Sequence, residues 1–128
     1  MSKAAILDAS ALLAVFADEP GGELVAPLLD GAVISTVNWC EVLARYADLG
    51  LDTRSRETDI ESLGISLAPF TSRQAEVAAG LLPITRKAGL SLGDRACLAL
   101  ALDLGGYPVT ADRAWGSVDV GLVVTLIR

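Results

Sequence analysis

Two aspartates fall where the sequence predicts the ends of strands. Asp8 directly follows the apolar run Ala4 to Leu7, and Asp112 follows a run that ends at Thr110. If both runs belong to one parallel sheet, their carboxylates lie at the carboxyl edge, where α/β proteins bind ligands. The alternatives are local: Asp8 as the N-cap of the next helix, shared with Ser10, and Asp112 as an ordinary turn residue.

Asp94 heads the apolar face of a predicted helix. The i, i+3, i+4, i+7 spacing of a buried helix face is occupied by Asp94, Cys97, Leu98 and Ala101. Asp103 falls on the opposite side of the same helix. A carboxylate on a buried face is unfavourable unless it is paired or binds a metal ion. The alternative for Asp94 is a favourable interaction with the helix dipole in the first turn.

Glu41 is a fourth acid, and helical periodicity does not single it out. It shares a polar sector with Asn38, Arg45 and Asp48. The predicted apolar arc of the same helix consists of Trp39, Cys40, Val42, Leu43, Tyr46 and Ala47. An i, i+4 ion pair between Glu41 and Arg45 on a solvated face accounts for this pattern, and periodicity alone favours that interpretation.

The composition limits the chemistry that these acids can perform. The chain has 128 residues and no histidine, which excludes Ser-His-Asp and Cys-His nucleophiles and removes the commonest zinc ligand. Oxygen-only sites suit hard ions such as Mg²⁺ or Mn²⁺. The formal net charge of −6 argues against unaided tight binding of nucleic acid. Cys40 and Cys97 have no CxxC partner, and we expect both to be small core residues.

The hydrophobic content of 52% makes a membrane protein worth testing. The longest run without a charge, from Ser62 to Ser72, contains Pro69 and is far shorter than the about 20 apolar residues of a spanning helix. The first residues do not form a signal-peptide pattern. We therefore expect a cytoplasmic protein with no membrane span.

Short apolar runs alternate with helical patterns along the chain. Strands are predicted at 4–7, 32–34, 65–68 (an edge strand), 107–110 and 122–127, and helices at 9–17, 37–49, 53–63, 72–87 and 94–104. Pro83 should kink or end the fourth helix, and Gly105 with Gly106 should close the last. This alternation predicts βαβ units with a mostly parallel sheet covered on both faces, and residues 1–128 are predicted to form one domain.

Four sequence blocks together resemble the PIN-domain nucleases, and in particular the toxins of VapBC-type toxin–antitoxin pairs. The blocks are Asp8-Ala9-Ser10, ISTVNWCEVLAR around Glu41, LSLGDRACLALA around Asp94 and VTADRAW around Asp112. They occur in the family's order over essentially the whole chain. The resemblance implies a three-layer α/β/α sandwich with a five-stranded parallel sheet, a homodimer, and a cognate antitoxin that blocks the site.

The resemblance also implies a function and roles for individual residues. The metal site of a Mg²⁺- or Mn²⁺-dependent endoribonuclease would be formed by Asp8, Glu41, Asp94 and Asp112, which we call the acidic cluster. We expect Asp8 and Asp94 to hold the principal ion, while Glu41 and Asp112 bind a second ion or orient the attacking water. The hydroxyls that would orient these carboxylates are those of Ser10 and Thr110. Candidate contacts to the RNA backbone are Arg45, Arg95 and Arg113.

The competing hypothesis is a non-nuclease α/β module with acids at its strand ends. A receiver-like signalling domain needs a lysine near the carboxyl end of its last strand, but the only lysines are Lys3 and Lys87. A DxD-type phosphatase needs an aspartate where this chain has Ser10. Each of the three candidate arginines could equally be a solvated surface residue.

Overall fold

Five short strands form one all-parallel sheet in the computed structural model, which describes residues 3–128. They are β1 (Ala5–Leu7), β2 (Val33–Ser35), β3 (Ser66–Ala68), β4 (Tyr107–Thr110) and β5 (Thr125–Leu126). Their order across the sheet is β3-β2-β1-β4-β5. The central strand β1 is buried along its whole length, as expected for a parallel strand covered on both faces. The predicted edge position of the strand near Ile65 is confirmed.

The register brings the ends of the central strands together. Leu7, the last residue of β1, pairs with Ile34 of β2 on one side and with Val109 of β4 on the other. Because all strands run in the same direction, the residues that follow them share one edge of the sheet. Asp8 therefore lies beside the end of β4.

Seven α-helices connect the strands within residues 3–128. They are α1 (Ala9–Phe16), α2 (Gly22–Val25), α3 (Thr36–Asp48), α4 (Glu57–Glu61), α5 (Ser72–Gly80), α6 (Leu82–Thr85) and α7 (Leu92–Leu104), with 3₁₀ helices at Ala26–Leu28 and Arg113–Ser117. Alternate residues of β1 belong to two separate hydrophobic cores, one on each face of the sheet. Leu7 packs with residues of α1, α3 and α4, whereas Ile6 packs with α7 and Trp115. The predicted three-layer α/β/α arrangement is thus confirmed.

Two predicted helices are shorter than expected because turns interrupt them. The helix predicted at 53–63 forms only at Glu57–Glu61, since the Asp52 carboxylate accepts hydrogen bonds from the backbone and side chain of Arg54 and stabilises a turn. Ser55 has a φ of 59°, which is incompatible with a continuing helix. The helix predicted at 72–87 is divided at Leu81, close to Pro83 as anticipated.

The predictions for the buried face of α3 were partly wrong. Its buried residues are Asn38, Trp39 and Val42, while Cys40 and Ala47 are exposed. Asn38 and Trp39 lie on the side of α3 that faces the core. Cys40 follows Trp39 and is rotated from it by about 100° around the helix axis, toward solvent. Cys97 is buried in the core beside Ile6, as predicted.

None of the helices that residues 3–128 form is long and apolar enough to cross a membrane.

Candidate active site

Asp8 joins β1 to α1 and is almost completely buried, with 4% of its surface exposed. Its Oδ1 accepts hydrogen bonds from the backbone N–H of Ala11 at 2.8 Å and from the Ser10 hydroxyl at 2.7 Å. Its Oδ2 accepts from the Thr110 hydroxyl at 2.5 Å. Asp8 is therefore the N-cap of α1, as the local interpretation suggested, but the cap leaves a carboxylate in the interior.

Burial raises the pKa of Asp8 to about 6 from its ordinary value of 3.8. The hydrogen bonds from Thr110, Ser10 and Ala11 oppose this rise, and the negative charge of Asp94 adds to it. The ionised form of Asp8 is thus unfavourable in the isolated protein. A cation bound at this carboxylate would remove that penalty.

The hydroxyls of Ser10 and Thr110 connect the ends of β1 and β4. Each donates to Asp8, and each also accepts a backbone N–H from the segment after β4. Ser10 Oγ accepts from Ala111 N at 2.9 Å, and Thr110 Oγ1 accepts from Asp112 N at 3.0 Å. These bonds fix the orientation of Asp8 and tie the backbone of Asp112 to the same edge of the sheet.

Asp94 lies in the first turn of α7 and is half-buried. Its Oδ2 accepts from the backbone N–H of Ser91 at 2.8 Å, while its own N–H donates to Ser91 Oγ at 3.2 Å, which makes a capping box. Burial raises the pKa of Asp94, the Ser91 hydrogen bonds lower it, and the charge of Asp112 raises it again. Asp103 is exposed on the other side of α7, as predicted, and pairs with Gln74 and Arg73.

Asp112 is exposed just after β4, and its carboxylate also has a local role. Oδ1 accepts from the backbone N–H of Ala114 at 3.0 Å and so caps the 3₁₀ helix Arg113–Ser117. The charge of Asp112 contributes to the rise in the pKa of Asp94. Capping the 3₁₀ helix is therefore compatible with Asp112 belonging to the acidic cluster.

Glu41 is held against α7 by two residues that the sequence did not single out. Asn38, with 1% of its surface exposed, donates from Nδ2 to Glu41 Oε1 and to the carbonyl oxygen of Gly93, both at 2.9 Å. A Cβ atom on Gly93 would lie 2.5 and 2.6 Å from the two carboxylate oxygens of Glu41. The predicted Glu41–Arg45 pair does not form, because Arg45 lies 3.8 Å from Glu19. Local sequence pattern gave no signal for this arrangement, because Asn38 falls in the polar sector with Glu41 and its burial depends on how α3 packs against α7.

The three candidate arginines have different surroundings. Arg95 is half-buried, and its Nη1 donates to the carbonyl of Ala78 on α5 at 3.0 Å. Arg45 pairs with Glu19 through a long contact. Arg113 is exposed next to Asp112. Of the three, Arg113 has the surroundings best suited to an external anion.

The four acids offer only oxygen donors, the donor type that a hard cation prefers. Asp94 raises the pKa of Asp8, and the buried Cys97 thiol beneath them has its pKa raised by burial and by the charges of Asp8, Asp94 and Glu41. Within residues 3–128, no three acidic or cysteine side chains are close enough to enclose an ion by themselves. Mg²⁺ keeps several of its waters and is usually held by one or two carboxylates, so this donor chemistry would be compatible with Mg²⁺ although the described side chains form no closed site.

A protein-family model matches most of this chain and shows the family to which it belongs. The family model described as "PIN domain" matches residues 5–121. This chain belongs to the PIN-domain family. The match confirms the resemblance carried by the four sequence blocks. None of the curated proteins matches the sequence.

Solved structures that resemble this PIN domain cover nearly its whole length. A chain of a toxin–antitoxin complex from Klebsiella pneumoniae has a TM-score of 0.70 at 18% identity, with 94% of this chain and 96% of the other covered. DNA-bound VapBC from Salmonella typhimurium gives a TM-score of 0.72 at 15% identity, with 96% and 97% covered. FitAcB from Neisseria gonorrhoeae gives 0.67 at 19% identity, with 97% and 96% covered. At these identities the similarity shows the fold.

Proposed function

We propose that this PIN-domain protein is a metal-dependent endoribonuclease that hydrolyses phosphodiester bonds in RNA. The observation that carries the proposal is the carboxylate of Asp8, which is buried at the carboxyl edge of the sheet, accepts hydrogen bonds from Ser10 and Thr110, and has its pKa raised by burial and, to a smaller extent, by the charge of Asp94. Folded proteins retain such an arrangement where it serves a ligand, because its ionised form destabilises the protein alone.

Each member of the acidic cluster has a role in this proposal. Asp8 and Asp94 would hold the principal Mg²⁺ or Mn²⁺ ion, and Glu41 and Asp112 would bind a second ion or orient the attacking water. Such an ion supplies a water nucleophile at neutral pH and stabilises negative charge on the scissile phosphate. Ser10 and Thr110 keep Asp8 in one orientation through the hydrogen bonds described above. Bound cations would also offset the net charge of −6 in front of a polyanion.

Arginines near the cluster are proposed to contact the RNA backbone. Arg113 is the leading candidate because it is exposed beside Asp112. Arg45 would have to exchange Glu19 for phosphate, and Arg95 would have to use guanidinium N–H groups that do not bind Ala78. A guanidinium can bind a phosphate with two parallel hydrogen bonds.

We further propose that the protein is the toxin of a toxin–antitoxin pair, forms a homodimer and acts in the cytoplasm. Support for the antitoxin comes from the similar structures, which include a toxin–antitoxin complex and VapBC. A surface pocket of about 330 Å³ between α1, α3 and α4 is lined by Phe16, Tyr46, Asp59, Ser62 and Leu63 and offers a partner a concave surface of mixed polarity. An arginine supplied by that partner would pair with the acidic cluster and compete with the metal ion.

The structure gives no support to the receiver-like alternative. Lys3 precedes β1 and so lies at the opposite edge of the sheet, and Lys87 follows α6 rather than the last strand. Neither lysine therefore lies at the carboxyl end of the last strand, where a receiver domain needs one.

A cleavage assay tests the proposed function directly. The purified, metal-loaded protein is incubated with total cellular RNA, and the cut ends are mapped. We expect cleavage in single-stranded or loop regions that requires Mg²⁺ or Mn²⁺ and stops in EDTA. Cleavage at the full rate in EDTA, by protein freed of contaminating nucleases, would contradict the metal mechanism.

A further inference from the structure

The side-chain amide of Asn38 bridges two helices at the acidic cluster. Both Nδ2 hydrogens are used: one is donated to Glu41 Oε1 on α3 and the other to the carbonyl oxygen of Gly93 on α7. Each neighbour can only accept, so the chemistry fixes which end of the amide faces them. Asn38 therefore connects the carboxylate of Glu41 to the backbone residue that immediately precedes Asp94.

The Glu41 carboxylate also lies against Gly93. A Cβ atom at this position would approach Glu41 Oε2 to 2.5 Å and Glu41 Oε1 to 2.6 Å. Gly93 is buried within a helix, where glycine is normally unfavourable compared with alanine. The absence of a side chain here leaves the space that the Glu41 carboxylate occupies.

The amide of Asn38 is not explained by core packing. Its Oδ1 is buried without a hydrogen-bond partner in the described residues, which is unfavourable for an amide. An apolar side chain of similar shape would avoid that penalty in the same position. The role of Asn38 therefore depends on its N–H donors, one of which donates to Glu41 of the acidic cluster.

We infer that Asn38 and Gly93 are positioning residues that hold the Glu41 carboxylate in its working place beside Asp94. This inference rests on the proposed nuclease function. Asn38 fixes Glu41 by donation, and Gly93 fixes it by leaving room. Without either residue, the long side chain of Glu41 would be free to rotate toward solvent, since Glu41 is otherwise exposed on α3.

The first test moves Glu41 without removing any polar group. Gly93→Ala should displace the carboxylate, which is the flexible end of a side chain, and should leave the melting temperature of the metal-free protein unchanged or higher. We expect kcat for RNA cleavage to fall about 10- to 100-fold, the range typical when a group that orients a metal ligand is lost. Gly80→Ala is the matched control, because Gly80 is also helical and nothing lies within 4 Å of its added Cβ. That variant should cleave RNA like the wild type.

The second test removes the donor. Asn38→Leu should lower kcat by a similar factor, and Mn²⁺ titration followed by electron paramagnetic resonance should show weaker binding. In the Glu41→Gln background, the same change should add nothing further to the loss of Mn²⁺ affinity. Gln74→Leu controls for loss of a buried amide, because Gln74 is similarly buried, has an unpartnered oxygen and donates to Asp103 on the exposed side of α7. Its melting temperature serves as the reference for Asn38→Leu, while its kcat and Mn²⁺ affinity should match the wild type.

A third measurement needs neither metal nor RNA. The side-chain N–H resonances of Asn38 should shift in Glu41→Gln and in Gly93→Ala, and should stay in place in Gly80→Ala. Wild-type kcat and Mn²⁺ affinity in both Gly93→Ala and Asn38→Leu would overturn the inference. If the wild type itself neither cleaves RNA nor binds Mn²⁺, the proposed function is wrong, and unshifted Asn38 resonances would then show that the positioning is wrong as well.

Discussion

Replacing Asp8 by asparagine should change how the stability of the metal-free protein depends on pH. Folding raises the pKa of Asp8 from 3.8 to about 6, so the folded state binds more protons than the unfolded state between those values. The free energy of unfolding of the wild type should therefore fall as the pH rises through this window. An asparagine side chain cannot ionise, and the Asp8→Asn variant should lack this part of the pH dependence.

The size of the effect follows from the pKa rise. A change from 3.8 to about 6 corresponds to about 3 kcal/mol, at 1.36 kcal/mol for each tenfold change in the proton equilibrium. The new amide oxygen can keep the bonds from Ala11 and Ser10, but the Thr110 hydroxyl loses its acceptor, at a cost of about 1–3 kcal/mol. Asp8→Asn should thus be less stable than the wild type at pH 4 and at least as stable at pH 7.

Urea unfolding in EDTA at several pH values between 4 and 7 measures this difference. The relevant quantity is the gap in unfolding free energy between variant and wild type, which should change by about 2 kcal/mol in favour of the variant between pH 4 and pH 7, because part of the full difference is already present at pH 4. Asp103→Asn removes a carboxylate from the exposed face of α7 and should not reproduce this change. A gap that stays constant with pH, or that widens against Asp8→Asn at pH 7, would refute the argument that burial makes ionised Asp8 unfavourable.

Four further outcomes are expected. Asp94→Asn should abolish cleavage but keep the metal-free melting temperature, because the amide oxygen can still accept the Ser91 N–H. The control Asp103→Asn should still cut RNA. If Asp94→Asn still cuts RNA, Asp94 does not belong to the active site. Mg²⁺ should raise the melting temperature of the wild type in differential scanning fluorimetry, and the rise should shrink in Asp94→Asn. Thr110→Val should slow cleavage and lower the unfolding free energy by about 1–3 kcal/mol, since one hydroxyl serves Asp8 and a backbone N–H; unchanged kinetics would argue against its orienting role. Co-expression with the product of the neighbouring gene should yield a complex that no longer cleaves RNA, and a product that neither co-purifies nor inhibits would contradict the antitoxin pairing.

The sequence predicted the fold class because the relevant signals are local. Short apolar runs bounded by helices indicate parallel strands, and Asp8 and Asp112 follow two of those runs. The structure confirms five strands and helices on both faces within the described residues. The rise in the pKa of Asp8 comes mainly from burial, and the charge of Asp94 makes a smaller contribution.

The surroundings of Glu41 could not be predicted from local pattern. Helical spacing favoured a pair with Arg45 on a solvated face, but the partner that holds Glu41 is Asn38, whose second contact is to Gly93 on another helix. That contact joins residues far apart in the sequence and depends on how α3 packs against α7. Cys40 was misplaced for the same reason, because the inward direction of α3 is set by packing rather than by composition.

The hydroxyl contacts between β1 and β4 also bear on when catalytic competence can arise during synthesis. Asp8 leaves the ribosome before Thr110, which donates to it and is 102 residues later in the chain. The hydrogen bonds around Asp8 therefore cannot all form until Thr110 and the residues between it and Asp8 have emerged. For a protein proposed to cut RNA, this order would keep the nascent chain harmless to the message and the ribosome that are producing it.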